Sequence, residues 1–145
     1  MGISKASAQW DGTIKGGKGS MKPANAAEIP FSFGSRFEGQ PASNPEELVG
    51  AALSGCFSMA LASSLEKAGS PPRSIRTSAN VKLEKDGEGF SITVIELTTE
   101  ADVPGLDDEK FQGIAEATKK ACPVSKALAG VGSIKLTASL RSGAA

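Results

Sequence analysis

The chain has 145 residues, 22% charged and 39% hydrophobic, and its 16 basic and 16 acidic side chains give a formal charge of zero. This length is typical of one domain with its own core, so we expect a single domain over residues 1–145. Without an excess of positive charge, neither nucleic acid nor an anionic membrane surface is an expected partner. We also expect no apolar run of the roughly 18 residues that a membrane span needs.

The absence of histidine is the most restrictive feature of the composition. The sequence contains no histidine and two cysteines. Ser-His-Asp and Cys-His catalysis are therefore excluded, and two cysteines alone complete none of the usual zinc sites. We expect no metal and no cofactor, which leaves any chemistry to the cysteines, the carboxylates and the arginines.

The N-terminal residues favour a cytoplasmic protein. Lys5, Asp11 and Lys15 interrupt the first part of the chain, which lacks the apolar core of a signal peptide. In a reducing cytosol a structural disulfide is rare, whereas a transient catalytic one is permitted. Two inert, buried thiols are the alternative at this stage, because free cysteine is among the most buried residue types.

The first part of the chain predicts short strands. Residues 3–15 and 18–22 are expected to pair around a turn at Gly16-Gly17. Phenylalanines at alternate positions from Phe31 onward predict another short strand, which runs into a loop ending at Pro41.

A long apolar helix follows. Asn44 is a typical N-cap residue, Pro45 suits the first helical position, and acidic residues occupy the first turn. Charge is then absent between Glu47 and Glu66, and the helix is expected to end near Gly69. A helix that is apolar on nearly every face has to pack against other residues on nearly every face. One domain of this length has too few residues to bury the whole helix, so we expect a homodimer with this helix in the interface.

The second half predicts a hairpin, two helices and a final strand. Alternating apolar residues indicate three strands, at 73–85, 90–102 and 133–141. Asp107 is expected to cap a helix through about Lys120, and Cys122-Pro123 to begin a short helix through about Leu128. The order of the elements predicts an α+β fold.

The two cysteines occupy different local environments. Cys56 lies in the middle of the apolar helix, where burial alone raises the pKa of a thiol and makes it inert. Cys122 precedes Pro123 at a helix start, where the helix dipole and free N–H groups favour a thiolate. Spacing and propensity alone therefore nominate Cys122 as the nucleophile.

Arg36 and Glu46 each allow two interpretations. Arg36 is either a surface arginine or a guanidinium that holds a thiolate and polarises a substrate oxygen. Glu46 is either an ordinary acid in a first helical turn, favoured by the dipole, or part of a site.

Four stretches of the sequence carry a family resemblance: Arg36–Gly39, Asn44–Ala52, Cys56–Leu61 and Cys122–Lys126. In this order and spacing they resemble the osmotically inducible protein C (OsmC) family, thiol-dependent peroxidases related to the organic hydroperoxide resistance (Ohr) proteins. The resemblance covers essentially the whole chain, and the place of Arg-Phe-Glu-Gly favours the OsmC branch over the Ohr branch.

The resemblance implies an OsmC-like α+β fold, with antiparallel sheets around a long buried central helix in an intertwined homodimer. It makes Cys56 the peroxidatic thiol and Cys122 the resolving thiol, which reverses the order inferred from the N-cap. It also makes Arg36 and Glu46 the polar pair beside the Cys56 sulfur, while Glu47 is better placed for capping. The implied partners are an organic hydroperoxide and an external dithiol reductant, for which a lipoyl-type dithiol is one candidate.

Such a site would work by a cycle of cysteine oxidation and reduction. The Cys56 thiolate attacks the peroxide O–O bond, Cys122 condenses with the resulting sulfenic acid, and an external thiol reduces the disulfide. Arg36 would lower the pKa of Cys56, and Glu46 would orient Arg36. Two alternatives are a non-enzymatic redox sensor that uses the same disulfide, and a module that binds an apolar ligand with both cysteines merely packed.

Helix geometry adds one constraint on this site. Glu46 and Cys56 are ten residues apart, so a continuous helix separates them by about 15 Å along its axis. If both serve one site, Glu46 is expected to come from the partner subunit, through two helices packed antiparallel.

Overall fold

The structure, a computed structural model, describes residues 2–141, so Met1 and residues 142–145 lie outside the described part. The chain divides into two compact units between Glu47 and Leu48. Over the described residues these hold two three-stranded sheets and four helices, which confirms the predicted α+β class. The single domain over residues 1–145 stays a prediction.

The first unit contains an antiparallel sheet of three strands, β1 (Ala6–Asp11), β2 (Lys18–Pro23) and β3 (Ile29–Phe31). β1 is shorter than predicted, because the turn begins well before the two glycines. Thr13 organises this turn: its carbonyl accepts from Gly17 N at 2.8 Å, and its hydroxyl accepts from Gly16 N at 3.1 Å. A Cβ on Gly17 would lie 2.4 Å from the Asp11 carbonyl oxygen, so only glycine fits there.

A short helix, α1 (Phe33–Phe37), stands where the sequence predicted a strand that runs into a loop. That prediction was wrong because Ser32 and Ser35 form a reciprocal capping box. Ser35 N donates to Ser32 Oγ at 3.1 Å, and Ser32 N donates to Ser35 Oγ at 2.9 Å. Phe33 and Phe37 also suit a helix, since residues four apart share a face; their ring centroids are 5.1 Å apart.

The long helix, α2 (Pro45–Lys67), begins and ends close to the predicted residues. Asn44 is its N-cap, because Asn44 Oδ1 accepts from Glu47 N at 2.9 Å. The Glu47 carboxylate accepts from the Ser43 hydroxyl at 2.7 Å, so Glu47 stabilises the start of the helix, as expected.

The second unit contains a sheet in the order β4 (Ser74–Asp86), β5 (Gly89–Asp102) and β6 (Ser133–Arg141). β4 and β5 form the predicted hairpin, in which Gly87 has a φ of +61°. β6 pairs with β5 in parallel, so this sheet is not wholly antiparallel as predicted. The reason is that α3 (Asp108–Ala121) and α4 (Pro123–Ala127) lie between the two strands and return the chain to the same end.

The core of the second unit is built on one face of α2. Four completely buried side chains repeat at every fourth position of the helix: Leu53, Phe57, Leu61 and Leu65. They share a cluster with apolar side chains of β5 and α3, among them Ile95, Leu97, Phe111 and Ala115. Another face of α2 is exposed in the single chain and carries Ala51, Gly55, Met59 and Ser63. Met59 is 79% exposed.

α2 corrects the expectation that no apolar run is long enough to span a membrane. By length and composition its 23 residues qualify, and 28% of its most apolar 18-residue window is buried. The stretch contains no unbroken apolar run, because small and hydroxylic residues interrupt it, but it has no charged residue between Glu47 and Glu66. A single such helix is weak evidence for a membrane span, since core helices pass the same test.

Replacing Phe57 with alanine tests the packing of α2. Phe57 is fully buried, so we expect Phe57→Ala to lower the free energy of unfolding by about 3–5 kcal/mol. Phe90→Ala is the matched control, because Phe90 is 55% exposed and its loss leaves no cavity in the core. Denaturant unfolding measures both; equal losses for the two variants would contradict the assigned core.

Candidate active site

The two cysteines meet in the second unit. Cys56 Sγ and Cys122 Sγ are 2.9 Å apart, although 66 positions separate them in the sequence. Both are free thiols. Closing the gap to the S–S bond length of about 2.05 Å needs a shift of about 0.9 Å. Cys122 is completely buried and Cys56 is half-buried.

Cys56 is positioned by the contacts of α2 with the sheet. It precedes the fully buried Phe57, so it lies at the border of the buried face of the helix. Ser58 Oγ donates to Thr77 Oγ1 at 2.7 Å, and Thr77 Oγ1 lies 2.9 Å from the buried Thr99 Oγ1. This chain of hydroxyls links α2 to β4 and β5 two residues after Cys56.

Cys122 is positioned at the junction of α3 and α4. Its N–H donates to the Thr118 carbonyl at 2.9 Å, and its carbonyl accepts from Lys126 N at 3.0 Å. Thr118 Oγ1 lies 3.3 Å from Ser64 Oγ, which places the end of α3 beside α2. The predicted N-cap position of Cys122 is therefore confirmed.

The two thiols have opposite pKa shifts. Burial raises the pKa of Cys56, and the hydrogen bond with Cys122 and the charge of Cys122 raise it further. Burial also opposes ionisation of Cys122, but the hydrogen bond with Cys56 and the N–H groups of Ser125 and Val124 outweigh it, so the pKa of Cys122 is lowered. Of the two thiols, Cys122 is therefore the one that ionises more readily in the single chain.

Ser125 is a residue of this site to which the sequence analysis gave no role. It is the third residue of α4, and its hydroxyl favours the thiolate of Cys122. Ser125 Oγ is buried and makes no hydrogen bond of ordinary length and angle with the described residues. The signal in the sequence was its spacing, because a polar side chain at the third helical position commonly reaches back to the N-cap residue.

Arg36 and Glu46 meet in the first unit. Arg36 Nη2 donates to Glu46 Oε1 at 2.7 Å, and Arg36 Nε donates to the same oxygen at 3.0 Å. Glu46 is 7% exposed, whereas the Arg36 side chain is 36% exposed. The pair is held in place because Asn44 Nδ2 donates to the Ser35 carbonyl at 3.2 Å, which ties the start of α2 to α1. The structure thus joins Arg36 to Glu46 and Cys56 to Cys122.

Two thiols in contact, one buried and one half-buried, are typical of a protein that carries out cysteine redox chemistry. The OsmC-like protein family model matches residues 37–137, a range that contains Glu46, Cys56 and Cys122, while Arg36 lies one residue before it. The chain belongs to the OsmC-like family.

Individual relatives agree with this assignment. Peroxiredoxin OsmC of Escherichia coli is 48% identical over 126 residues, which cover 86% of this chain and 88% of the relative. The organic hydroperoxide resistance protein OhrB of Bacillus subtilis is 31% identical over 129 residues, which cover 86% and 92%. The solved structure of an organic hydroperoxide resistance protein from Elizabethkingia anophelis has a TM-score of 0.77 at 26% identity and covers 97% of this chain and 99% of that one.

The opposite pKa shifts predict how the reduced protein titrates. As pH rises, we expect Cys122 to ionise first, below the usual thiol range, and Cys56 at higher pH, because the charge on Cys122 opposes a second one. In Cys122→Ser that charge is gone, so Cys56 should ionise at lower pH than in the parent protein. Thiolate absorbance near 240 nm measures both; one shared transition in the parent protein would contradict the assignment.

Proposed function

We propose that this chain is a thiol peroxidase that reduces organic hydroperoxides through Cys56 and Cys122. The observation that carries the proposal is the 2.9 Å contact between two sulfurs from distant parts of the sequence. It is supported by the family, whose members at 48% and 31% identity are named peroxiredoxin and organic hydroperoxide resistance protein. Cys56 is half-buried and therefore the more accessible of the two cysteines to a substrate, whereas Cys122 is fully buried.

The reaction proceeds in three steps. The Cys56 thiolate attacks one peroxide oxygen, which breaks the O–O bond and leaves a Cys56 sulfenic acid and an alkoxide; the alkoxide takes the proton of the Cys122 thiol and departs as an alcohol. The Cys122 thiolate formed in this way attacks the sulfenic sulfur and forms the disulfide, and the hydroxide that leaves takes a proton from solvent and becomes water. An external dithiol then reduces the disulfide. A lipoyl-type reductant and a cytoplasmic location stay predictions.

The first step needs the thiolate of Cys56, although Cys122 ionises more readily. At 2.9 Å the two sulfurs share a hydrogen bond, so a proton can pass from Cys56 to Cys122 without further movement of the chain. A guanidinium near Cys56 would favour that transfer, because an adjacent positive charge stabilises a thiolate. We assign this role to Arg36, with Glu46 holding the guanidinium in place through the hydrogen bonds of 2.7 and 3.0 Å.

Peroxide consumption by cysteine variants tests the proposed function. With cumene hydroperoxide and a dithiol reductant, we expect multiple turnover by the parent protein and none by Cys56→Ser. We expect Cys122→Ser to react once, to a sulfenic acid, and then to lose most of its recycling, because its resolving thiol is missing.

Lys120→Gln is the matched control for these variants. Lys120 is exposed and lies two residues before Cys122, so its replacement should leave turnover unchanged. Full turnover by Cys56→Ser would contradict the peroxidatic role of Cys56. A single stoichiometric oxidation of the parent protein without turnover would instead favour a redox sensor.

We further propose a homodimer in which the polar pair of one subunit serves the thiols of the other. α2 is uninterrupted from Pro45 to Lys67, so Glu46 and Cys56 of one chain lie about 15 Å apart along its axis. The exposed α2 face with Met59 supports a helix-to-helix interface, because its small residues allow close approach of a second copy. Two antiparallel copies of α2 would bring Glu46 of each chain toward Cys56 of the other.

Mixing two inactive variants tests this shared site. Cys56→Ser and Glu46→Gln should each be strongly impaired as homodimers. After unfolding and refolding together, each mixed dimer contains one intact site, so activity should return to about a quarter of the parent level. If Glu46 served the Cys56 of its own chain, every site in the mixture would stay defective and activity would not return.

A further inference from the structure

The buried hydroxyl of Ser125 is a donor without an acceptor in the described part of the chain. Its oxygen is buried and makes no hydrogen bond of ordinary length and angle, although it stands three positions after the N-cap residue Cys122 and its side chain contributes to the lowered pKa of that thiol. A buried polar group without a partner is unfavourable, and a thiolate accepts hydrogen bonds far better than a thiol does. The site is therefore arranged for a state in which Cys122 is negatively charged.

The two sulfurs also differ in their access to solvent. Cys122 is 0% exposed, whereas Cys56 is half-buried. A thiolate that breaks a disulfide approaches along the S–S axis, from the side opposite the leaving sulfur, so it must reach the back of the sulfur it attacks. Only Cys56 offers any accessible surface to such an approach.

We propose that the reducing thiol attacks Cys56 Sγ of the disulfide, and that Cys122 leaves as a thiolate held by the Ser125 hydroxyl. This inference rests on the proposed function, because it concerns the reduction step of that cycle. A mixed disulfide with the reductant then forms on Cys56 and not on Cys122. Ser125 acts on the reacting sulfur of Cys122 and sets the direction of the exchange, because the sulfur that is better stabilised as an anion leaves faster.

The exchange balances as follows. The reductant thiolate forms a new S–S bond with Cys56 Sγ, the Cys56–Cys122 bond breaks, and its electron pair goes to Cys122. The second thiol of the dithiol reductant then attacks the mixed disulfide at the reductant's own sulfur, which forms the reductant's internal disulfide and frees Cys56 as a thiolate. Two electrons pass from the dithiol to the protein.

The position of the mixed disulfide can be read directly. The protein is oxidised with diamide, treated briefly with glutathione, quenched with acid, and its free thiols are capped with a maleimide. Trypsin separates the two sulfurs, since Cys56 falls in the peptide 37–67 and Cys122 in the peptide 121–126. We expect glutathione on the first peptide and maleimide on the second; glutathione on Cys122, or equal labelling of both, would overturn the proposal.

The role of Ser125 is tested by the rate of reduction. Ser125→Ala should reduce its disulfide with glutathione more slowly, by about threefold, because Cys122 becomes a poorer leaving group. In a Cys56→Ser background the same change should move ionisation of Cys122 to higher pH, which a purely structural role would not do. Ser125→Thr retains the hydroxyl and should restore both properties.

Ser139→Ala is the control, because the Ser139 hydroxyl donates to the Thr99 carbonyl at 3.4 Å on the opposite side of β5 from the core. It should change neither the rate nor the titration. An unchanged rate and titration in Ser125→Ala would overturn the role of Ser125. If Ser125→Ala does not fold, adduct mapping on the parent protein still decides which sulfur is attacked, and Ser125→Gly, which also removes the hydroxyl, replaces Ser125→Ala in the rate and titration measurements.

These outcomes are separate from the test of the proposed function. Diamide forms the disulfide without peroxide, so the adduct is mapped whether or not the protein consumes hydroperoxide. A glutathione adduct on Cys56 without peroxidase turnover would contradict the proposed function but not this inference. Peroxidase turnover with the adduct on Cys122 would contradict this inference but not the proposed function.

Discussion

The packing of α2 against the sheet of the second unit is the constraint on which the thiol site depends. Four fully buried side chains at every fourth position fix the rotation of the helix about its axis. Cys56 precedes the second of them, Phe57, by one residue and is therefore turned about 100° from it. That angle leaves Cys56 half-buried at the border of the core, with its sulfur in contact with Cys122.

The two sulfurs divide the chemistry because their surroundings differ. Cys122 has the N–H groups of Ser125 and Val124 and a nearby hydroxyl, whereas Cys56 has the Val124 N–H alone, together with burial and the charge of Cys122, which raise its pKa. The lowered pKa of Cys122 and the proposed attack by Cys56 are compatible, because a proton passes easily between sulfurs 2.9 Å apart. The same difference explains the proposed direction of reduction, because Cys122 has the lower pKa of the two thiols and is the less accessible residue.

The polar pair depends on local structure that the sequence pattern concealed. Alternating phenylalanines suggested a strand, but the Ser32–Ser35 capping box turns this segment into α1. The helix and the Asn44 side chain then bring Arg36 to Glu46 across ten positions of sequence. A hydrogen-bonded cap outweighs a two-residue periodicity over so short a segment, because one helical turn needs only a few favourable contacts once its end is satisfied.

Local features of the sequence determined most of the elements. The N-cap at Asn44, the N-cap at Asp107 and the turn at Gly87 each depend on neighbours in the chain, and all three appear where the residues predict them. The family and the pair of reactive cysteines were also predicted from motifs in the sequence. The sign of each thiol's pKa shift was already predicted from its local position. Only the tertiary structure decided the 2.9 Å contact between the sulfurs, the parallel pairing of β6 and the burial of the Ser125 hydroxyl. These properties depend on burial and on atoms distant in sequence, whose separation is set by packing and not by residue type.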